Sequence, residues 1–124
     1  MSILALVRPD LQQFSGYLSA RKQNSGGAIW LNANESAYAQ AFDTLQLNRY
    51  PEPQPSLLKQ ALCNYYQTAS ENLLITRGSD EAIDLLFRIF CEPGKDNVII
   101  FPPTYGMYEV CAEINNVTVK KVPL

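Results

Sequence analysis

An α/β fold, a sheet covered by helices, is what this sequence predicts, and three observations carry it. From residue 72 onward, short apolar runs of strand length alternate with longer segments of helical periodicity. The run Val98-Ile-Ile-Phe101 is wholly apolar, the pattern of a parallel strand covered on both faces. Turn signals, above all Pro93-Gly94-Lys95-Asp96, fall between these runs and not inside them.

Residues 1–50 read as an irregular arm. They hold a short helical pattern over residues 10–21, a break at Gly26-Gly27, a strand-like Ala28-Ile-Trp-Leu31 and a polar, Ala-rich stretch. The aromatic residues of this arm have too little periodic structure around them to pack on, so the arm is expected to lie on the rest of the fold or on a partner subunit. Pro51, Pro53 and Pro55 force an extended segment and then a helix start, with Ser56 opening a helix over 57–67. Residues 51–124 form the second region. Asn72-Leu-Leu-Ile-Thr76 is expected as a strand, 80–91 as a helix apolar on nearly every face and therefore buried, 98–101 as a strand, 105–114 as a helix and 117–122 as a last strand. Lys120 and Lys121 mark that last strand as an edge. The sequence stops just after it, before any helix that would carry the pattern on, and about three strands is the low end for a doubly wound sheet. An incomplete large domain is the expectation.

The 124 residues amount to one domain's worth of chain. Ten Lys+Arg against twelve Asp+Glu give a net charge of -2 with no block of either sign, which argues against nucleic acid and anionic membranes as partners. With 47% hydrophobic residues the chain is too apolar for disorder, yet no apolar run approaches the ~20 residues of a membrane span. There is no histidine, which removes His-based nucleophilic triads, His-ligated metals and imidazole acid–base chemistry together. No metal site is expected. Cys63, Cys91 and Cys111 are widely spaced within apolar segments and read as buried, reduced thiols. The N-terminus has no basic region before its short apolar run, so the expected location is the cytoplasm.

Two turns suit a ligand. In Leu74-Ile-Thr-Arg-Gly-Ser-Asp-Glu81 an apolar strand, a glycine and a serine lead into a helix, so the first-turn N–H groups and the helix dipole can hold a phosphate while Gly78 allows close approach. Taken alone, ordinary capping by Ser79 accounts for the motif better, because Asp80 and Glu81 repel a phosphate unless they point away. In Phe101-Pro-Pro-Thr-Tyr-Gly-Met-Tyr108, Tyr105 stands at the carboxyl end of a strand, where an aromatic ring can stack on a flat cofactor; a helix entry with packing tyrosines explains it about equally well. Two such turns in successive strand–helix units favour a site. Asn32, Asn34 and Tyr50 in the arm offer hydrogen bonds to a polar ligand, as does Tyr17, but turn formation and helix-face contacts account for these residues too.

The ordered series Val7-Arg-Pro-Asp10, Tyr17-Leu-Ser-Ala-Arg21, Leu31-Asn-Ala-Asn-Glu35, Arg49-Tyr-Pro51, Arg77-Gly-Ser-Asp-Glu81, Phe90-Cys-Glu-Pro-Gly-Lys-Asp96 and Pro102-Pro-Thr-Tyr-Gly-Met-Tyr108 resembles the N-terminal third of the histidinol-phosphate aminotransferase family and covers almost the whole chain. The resemblance implies part of the large domain of a fold-type-I pyridoxal-5'-phosphate transferase, preceded by an N-terminal arm. It implies a homodimer that transfers an amino group between L-histidinol phosphate and 2-oxoglutarate in histidine biosynthesis. Carried over by position, the backbone around Gly78, Ser79 and Asp80 holds the cofactor phosphate, Tyr105 stacks on its ring, Tyr50 reaches the phosphate of the neighbouring subunit, and Tyr17 and Asn34 line the substrate side. The resemblance also places the strand at 73–76 across the sheet from those at Val98 and Val117, with other strands between.

Such chemistry needs a Schiff-base lysine, an acid for the pyridine nitrogen and an arginine for the carboxylate of the amino-acid partner, all of which the family carries beyond the matched region. Lys22, Lys59, Lys95, Lys120 and Lys121 fall by pattern in a loop, a helix, a turn and an edge strand, so no catalytic residue is assigned and the chain alone is expected to be inactive. Threonine-phosphate decarboxylases and aromatic aminotransferases share the same cradle and remain alternatives. A non-catalytic binding or assembly module on the same fold is another, and a nucleotide-binding domain a more distant one, since its glycine fingerprint is missing.

Overall fold

The computed structural model describes residues 2–17, 29 and 31–124. These fall into two compact units, one made of Met1–Ser15 with Thr76–Leu124 and the other of Gly16–Ile75.

The first unit is a small α/β assembly. Helix α2 (Gly78–Phe90), strand β1 (Asn97–Ile100), helix α3 (Met107–Ile114) and strand β2 (Thr118–Lys121) follow in order. β1 and β2 pair in parallel, Val98 beside Val119 and Ile100 beside Lys121, which requires the crossover that α3 supplies. The parallel pairing is the one expected from wholly apolar runs. Two strands are seen among the described residues in place of about three, and β2, with its two lysines, pairs only with β1. The core lies where α2 and α3 meet: Phe87, Cys111, Ala112 and Val117 are buried, with Ile83, Cys91, Val98, Met107 and Val119 packed against them. Asn115 links the two helices by donating from Nδ2 to Asp84 Oδ1 at 2.9 Å and to the Cys111 carbonyl at 2.8 Å. Arg8 covers the open end of α2, its N–H donating to the Ile89 carbonyl at 2.9 Å and its Nη1 to the Arg88 carbonyl at 3.2 Å.

In the second unit, helix α1 (Ser56–Tyr66) follows Pro55 directly, as the proline spacing predicts. It ends at Gln67, whose left-handed φ of 51° lets the N–H groups of Gln67 and Thr68 both reach the Cys63 carbonyl.

Five expectations change. Residues 72–76 belong to no strand, Asn72 ending a short 3-10 turn (Ser70–Asn72); the side-chain amide of Gln54 stands in for a strand neighbour, donating to the Ile75 carbonyl at 2.9 Å and accepting from its N–H at 2.7 Å. Helix α2 is half-buried: only Phe87 on it is buried, Ile83 and its other apolar residues are mostly half-buried, and Leu86 is 56% exposed. Residues 9–13 form turns and 14–17 no regular structure where a helix over 10–21 was expected, while residues 18–21 lie outside the described residues. Of the cysteines, only Cys111 is buried; Cys63 and Cys91 are half-buried, and all three are free thiols. Ala28, Trp30 and the Gly26-Gly27 break also lie outside the described residues, and Ile29 and Leu31 are in no strand.

Candidate functional site

Residues 73–76 lead into α2 through Gly78, whose φ of +80° lies in the left-handed region that glycine enters without strain. A β-carbon placed on Gly78 meets nothing within 4 Å, so backbone conformation requires the glycine and the space above the turn is open. The first-turn N–H groups of an α-helix have no intrahelical acceptor, and they stand at the positive end of the helix dipole. Ser79 is exposed within this turn and does not cap the helix: the capping position is Arg77, with no side-chain cap bond. The turn is tied down instead by Glu81, whose Oε2 accepts the Arg77 N–H at 2.6 Å, and by the Thr76 hydroxyl, which donates to the Gly78 carbonyl at 2.8 Å.

The two carboxylates that argued against an anion here are both engaged. Asp80 Oδ1 accepts a hydrogen bond from the Tyr105 hydroxyl at 2.9 Å. Glu81 turns back on Arg77, pairing also with its guanidinium at 3.4 Å. The Arg77 N–H, before the smaller contribution of the guanidinium, holds the Glu81 carboxyl below its ordinary range. The hydrogen bond to Asp80, followed by desolvation, pushes the Tyr105 phenol above its ordinary value and so keeps it protonated as the donor. Tyr105 sits just past the cis Pro102-Pro103 bond, about half exposed, with its ring edge-on to Tyr108 at 6.1 Å between centroids and 88° between planes. Gly78, Ser79, Asp80 and Tyr105 are thus brought together on one unit. They offer an open backbone cradle for an oxyanion and, beside it, an anchored aromatic ring. These residues fit a flat, ring-bearing phosphate monoester.

Tyr17, Asn34 and Tyr50 belong to the second unit. Tyr17 is almost fully exposed, and Asn34 follows Ala33 in a turn where both have positive φ, 52° and 61°. Tyr50 is 62% exposed, while its N–H donates to Glu35 Oε1 at 2.8 Å. Glu35 Oε2 accepts from Arg49 Nη1 at 3.1 Å, so one carboxylate joins two motifs that lie apart in the sequence. Neither Glu35 nor Glu81 announces itself as a ligand residue. The signal for Glu81 is its position four residues after Arg77 at a helix start; for Glu35 there is only its place beside a turn.

Lys59 lies on α1, Lys95 in the turn after α2 with Glu92 at 2.9 Å, and Lys120 and Lys121 on β2, Lys121 being paired with Glu109 at 2.6 Å. Lys22 lies outside the described residues. Among the described residues no group of three or more His, Cys, Asp or Glu is placed to hold a metal ion, and no helix is long and apolar enough to cross a membrane.

A family model described as aminotransferase class I and II matches residues 22–124. The histidinol-phosphate aminotransferase of Stenotrophomonas maltophilia (strain R551-3) is 54% identical over 123 residues, which are 98% of this chain and 34% of that protein. That of Xanthomonas euvesicatoria pv. vesicatoria (strain 85-10) is 55% identical over 124 residues, 99% of this chain and 34% of its own length. That of Xanthomonas campestris pv. campestris (strain B100) is 52% identical over the same length. The chain spans about a third of the length of the curated relatives it matches.

Proposed function

We propose, from the premise that this chain belongs to the class I and class II aminotransferase family, that it forms the N-terminal third of a histidinol-phosphate aminotransferase. The reaction is exchange of an amino group between L-histidinol phosphate and 2-oxoglutarate, yielding imidazole-acetol phosphate and glutamate in histidine biosynthesis. The identity to proteins of that name over 98–99% of the chain supports the reaction. The observation that carries the site is the cradle at Gly78 with both neighbouring carboxylates engaged and the Tyr105 ring beside it.

The cofactor is pyridoxal 5'-phosphate, which when bound supplies an electron sink for the carbanion formed at the amino-bearing carbon. The backbone N–H groups around Gly78, Ser79 and Asp80 hold its phosphate. Tyr105 stacks on its ring, with Asp80 holding the Tyr105 hydroxyl in place. Tyr50 reaches the phosphate of the neighbouring subunit in a homodimer, and Tyr17 and Asn34 line the substrate side. Residues 1–50 act as an arm and 51–124 as the first strand–helix units of the large domain. The protein works in the cytoplasm, without nucleic-acid or membrane partners.

None of the described lysines stands in the segments that build the cradle: Lys95 is in a salt bridge in its turn, Lys120 and Lys121 are on β2, and Lys59 is on α1. The covalent lysine is therefore placed in polypeptide beyond this region, where the family resemblance also implies the acid for the pyridine nitrogen and the carboxylate-binding arginine, and the 124 residues alone are expected to be inactive. The test joins this chain to the remaining two thirds of the Stenotrophomonas relative and assays glutamate formation from histidinol phosphate. Turnover by the joined enzyme and none by the chain alone supports the reading; turnover with phenylalanine or threonine phosphate, and not with histidinol phosphate, overturns the substrate.

A further inference from the structure

We propose that Glu35 is a positioning residue for Tyr50: it fixes the backbone from which the Tyr50 phenol is presented to a phosphate. This rests on reading Tyr50 as a phosphate contact. The Glu35 side chain is only 5% exposed, whereas Tyr50, which it holds, is 62% exposed. A carboxylate so withdrawn from water is tolerated when charged and hydrogen-bonding partners satisfy it. Here one oxygen takes the Arg49 guanidinium at 3.1 Å and the other the Tyr50 N–H at 2.8 Å. Tyr50 is thus held through its main-chain N–H.

Two further features act in the same direction. Ala33 and Asn34, directly before Glu35, both adopt left-handed φ, a conformation unfavourable for alanine, and the turn they make delivers Glu35 to a segment fourteen residues away. Pro51 follows Tyr50, and a residue before proline is confined to extended backbone. With its N–H held by Glu35 and its ψ limited by Pro51, Tyr50 has little backbone freedom left to lose when its hydroxyl meets an anion.

The holoenzyme that carries this chain as its first third gives the test, through dissociation constants for pyridoxal phosphate and for pyridoxal, which lacks the phosphate. Glu35→Met, which removes both acceptors, is expected to weaken pyridoxal phosphate about fivefold or more, the loss of one well-placed hydrogen bond, and to leave pyridoxal unchanged. Adding it to Tyr50→Phe is expected to cost nothing further, since both act through one contact. Glu35→Gln keeps an acceptor for the Tyr50 N–H and is expected to restore most of the affinity. Equal weakening of both ligands by Glu35→Met, or an undiminished effect in the double variant, overturns the proposal. If Tyr50→Phe itself leaves the ratio of the two constants unchanged, the reading of Tyr50 fails and the proposal with it. If Tyr50→Phe is phosphate-selective and Glu35→Met is not, the proposal alone fails. Should Glu35→Met not fold, Glu35→Asp, which keeps the charge but falls one methylene short, must show the same selective loss; its absence overturns the proposal.

Discussion

Replacing Phe87 with alanine probes what holds the cradle in place. Phe87 lies on the last turns of α2, whose first turn carries Gly78 to Asp80, and it is the one buried residue on that helix. It is 7% exposed and packs into the cluster with Cys111 at 2%, Ala112 at 0% and Val117 at 5%. A phenylalanine side chain of about 200 Å² removed from water to that degree is worth about 4–5 kcal/mol at about 25 cal/mol per Å². Part of this returns as the half-buried Ile83, Met107 and Val119 relax into the space, so the expected loss is about 4 kcal/mol, within the usual range for Phe→Ala. Against a typical total of about 5–15 kcal/mol, that removes much of the first unit's stability. Phe87→Leu keeps most of the volume and is expected to cost about 1–1.5 kcal/mol. Urea unfolding followed by far-ultraviolet circular dichroism measures both through the midpoint at constant slope. A loss below about 1 kcal/mol for Phe87→Ala refutes the claim that the α2–α3 cluster anchors the helix bearing the cradle.

Three further outcomes are expected. Asn115→Ala removes the link from α3 to Asp84 and to the Cys111 carbonyl, and urea unfolding should show a loss of about 1–2 kcal/mol. Gly78→Ala meets no clash but forces a left-handed alanine, so a loss of about 1–2 kcal/mol is expected, together with weaker phosphate binding by calorimetry. The Glu81 carboxyl is held low chiefly by the Arg77 N–H, and that of Asp84 by Arg88 and then Asn115. Their contribution is complete above the ordinary carboxylate range and disappears as pH falls through the depressed values. The urea midpoint should therefore drop on acidification, and less steeply in Glu81→Gln.

Local elements were legible because local pattern makes them. The proline run before α1, the turn at Pro93-Gly94 and the apolar run of β1 each carry their own instruction, and each element stands within a few residues of its expected place. Residues 73–76 have the composition of a strand, but a strand exists only with a neighbour, and Gln54 fills that role with a side chain no periodicity could reveal. The uniform apolarity of α2 states that its faces are compatible with burial, not what covers them; Leu86 is left in solvent. Within the site, the glycine turn and the aromatic after Pro103 were readable as types. Their connection was not, because Asp80 and Tyr105 lie 25 residues apart and meet only through the packing of α2 on α3. Glu35 was hidden for the same reason, since Arg49 and Tyr50, which bond to it, lie 14 and 15 residues along the chain.

The most direct test of the cradle follows the backbone amide signals of the isotopically labelled 124-residue chain by nuclear magnetic resonance while pyridoxal phosphate is added, with pyridoxal as the control. Saturable shifts centred on the amides of Gly78, Ser79 and Asp80 and on the Tyr105 ring, with the amide shifts lost for pyridoxal, are the predicted result. Shifts centred elsewhere, or the same amide shifts with both compounds, contradict a phosphate cradle at the start of α2.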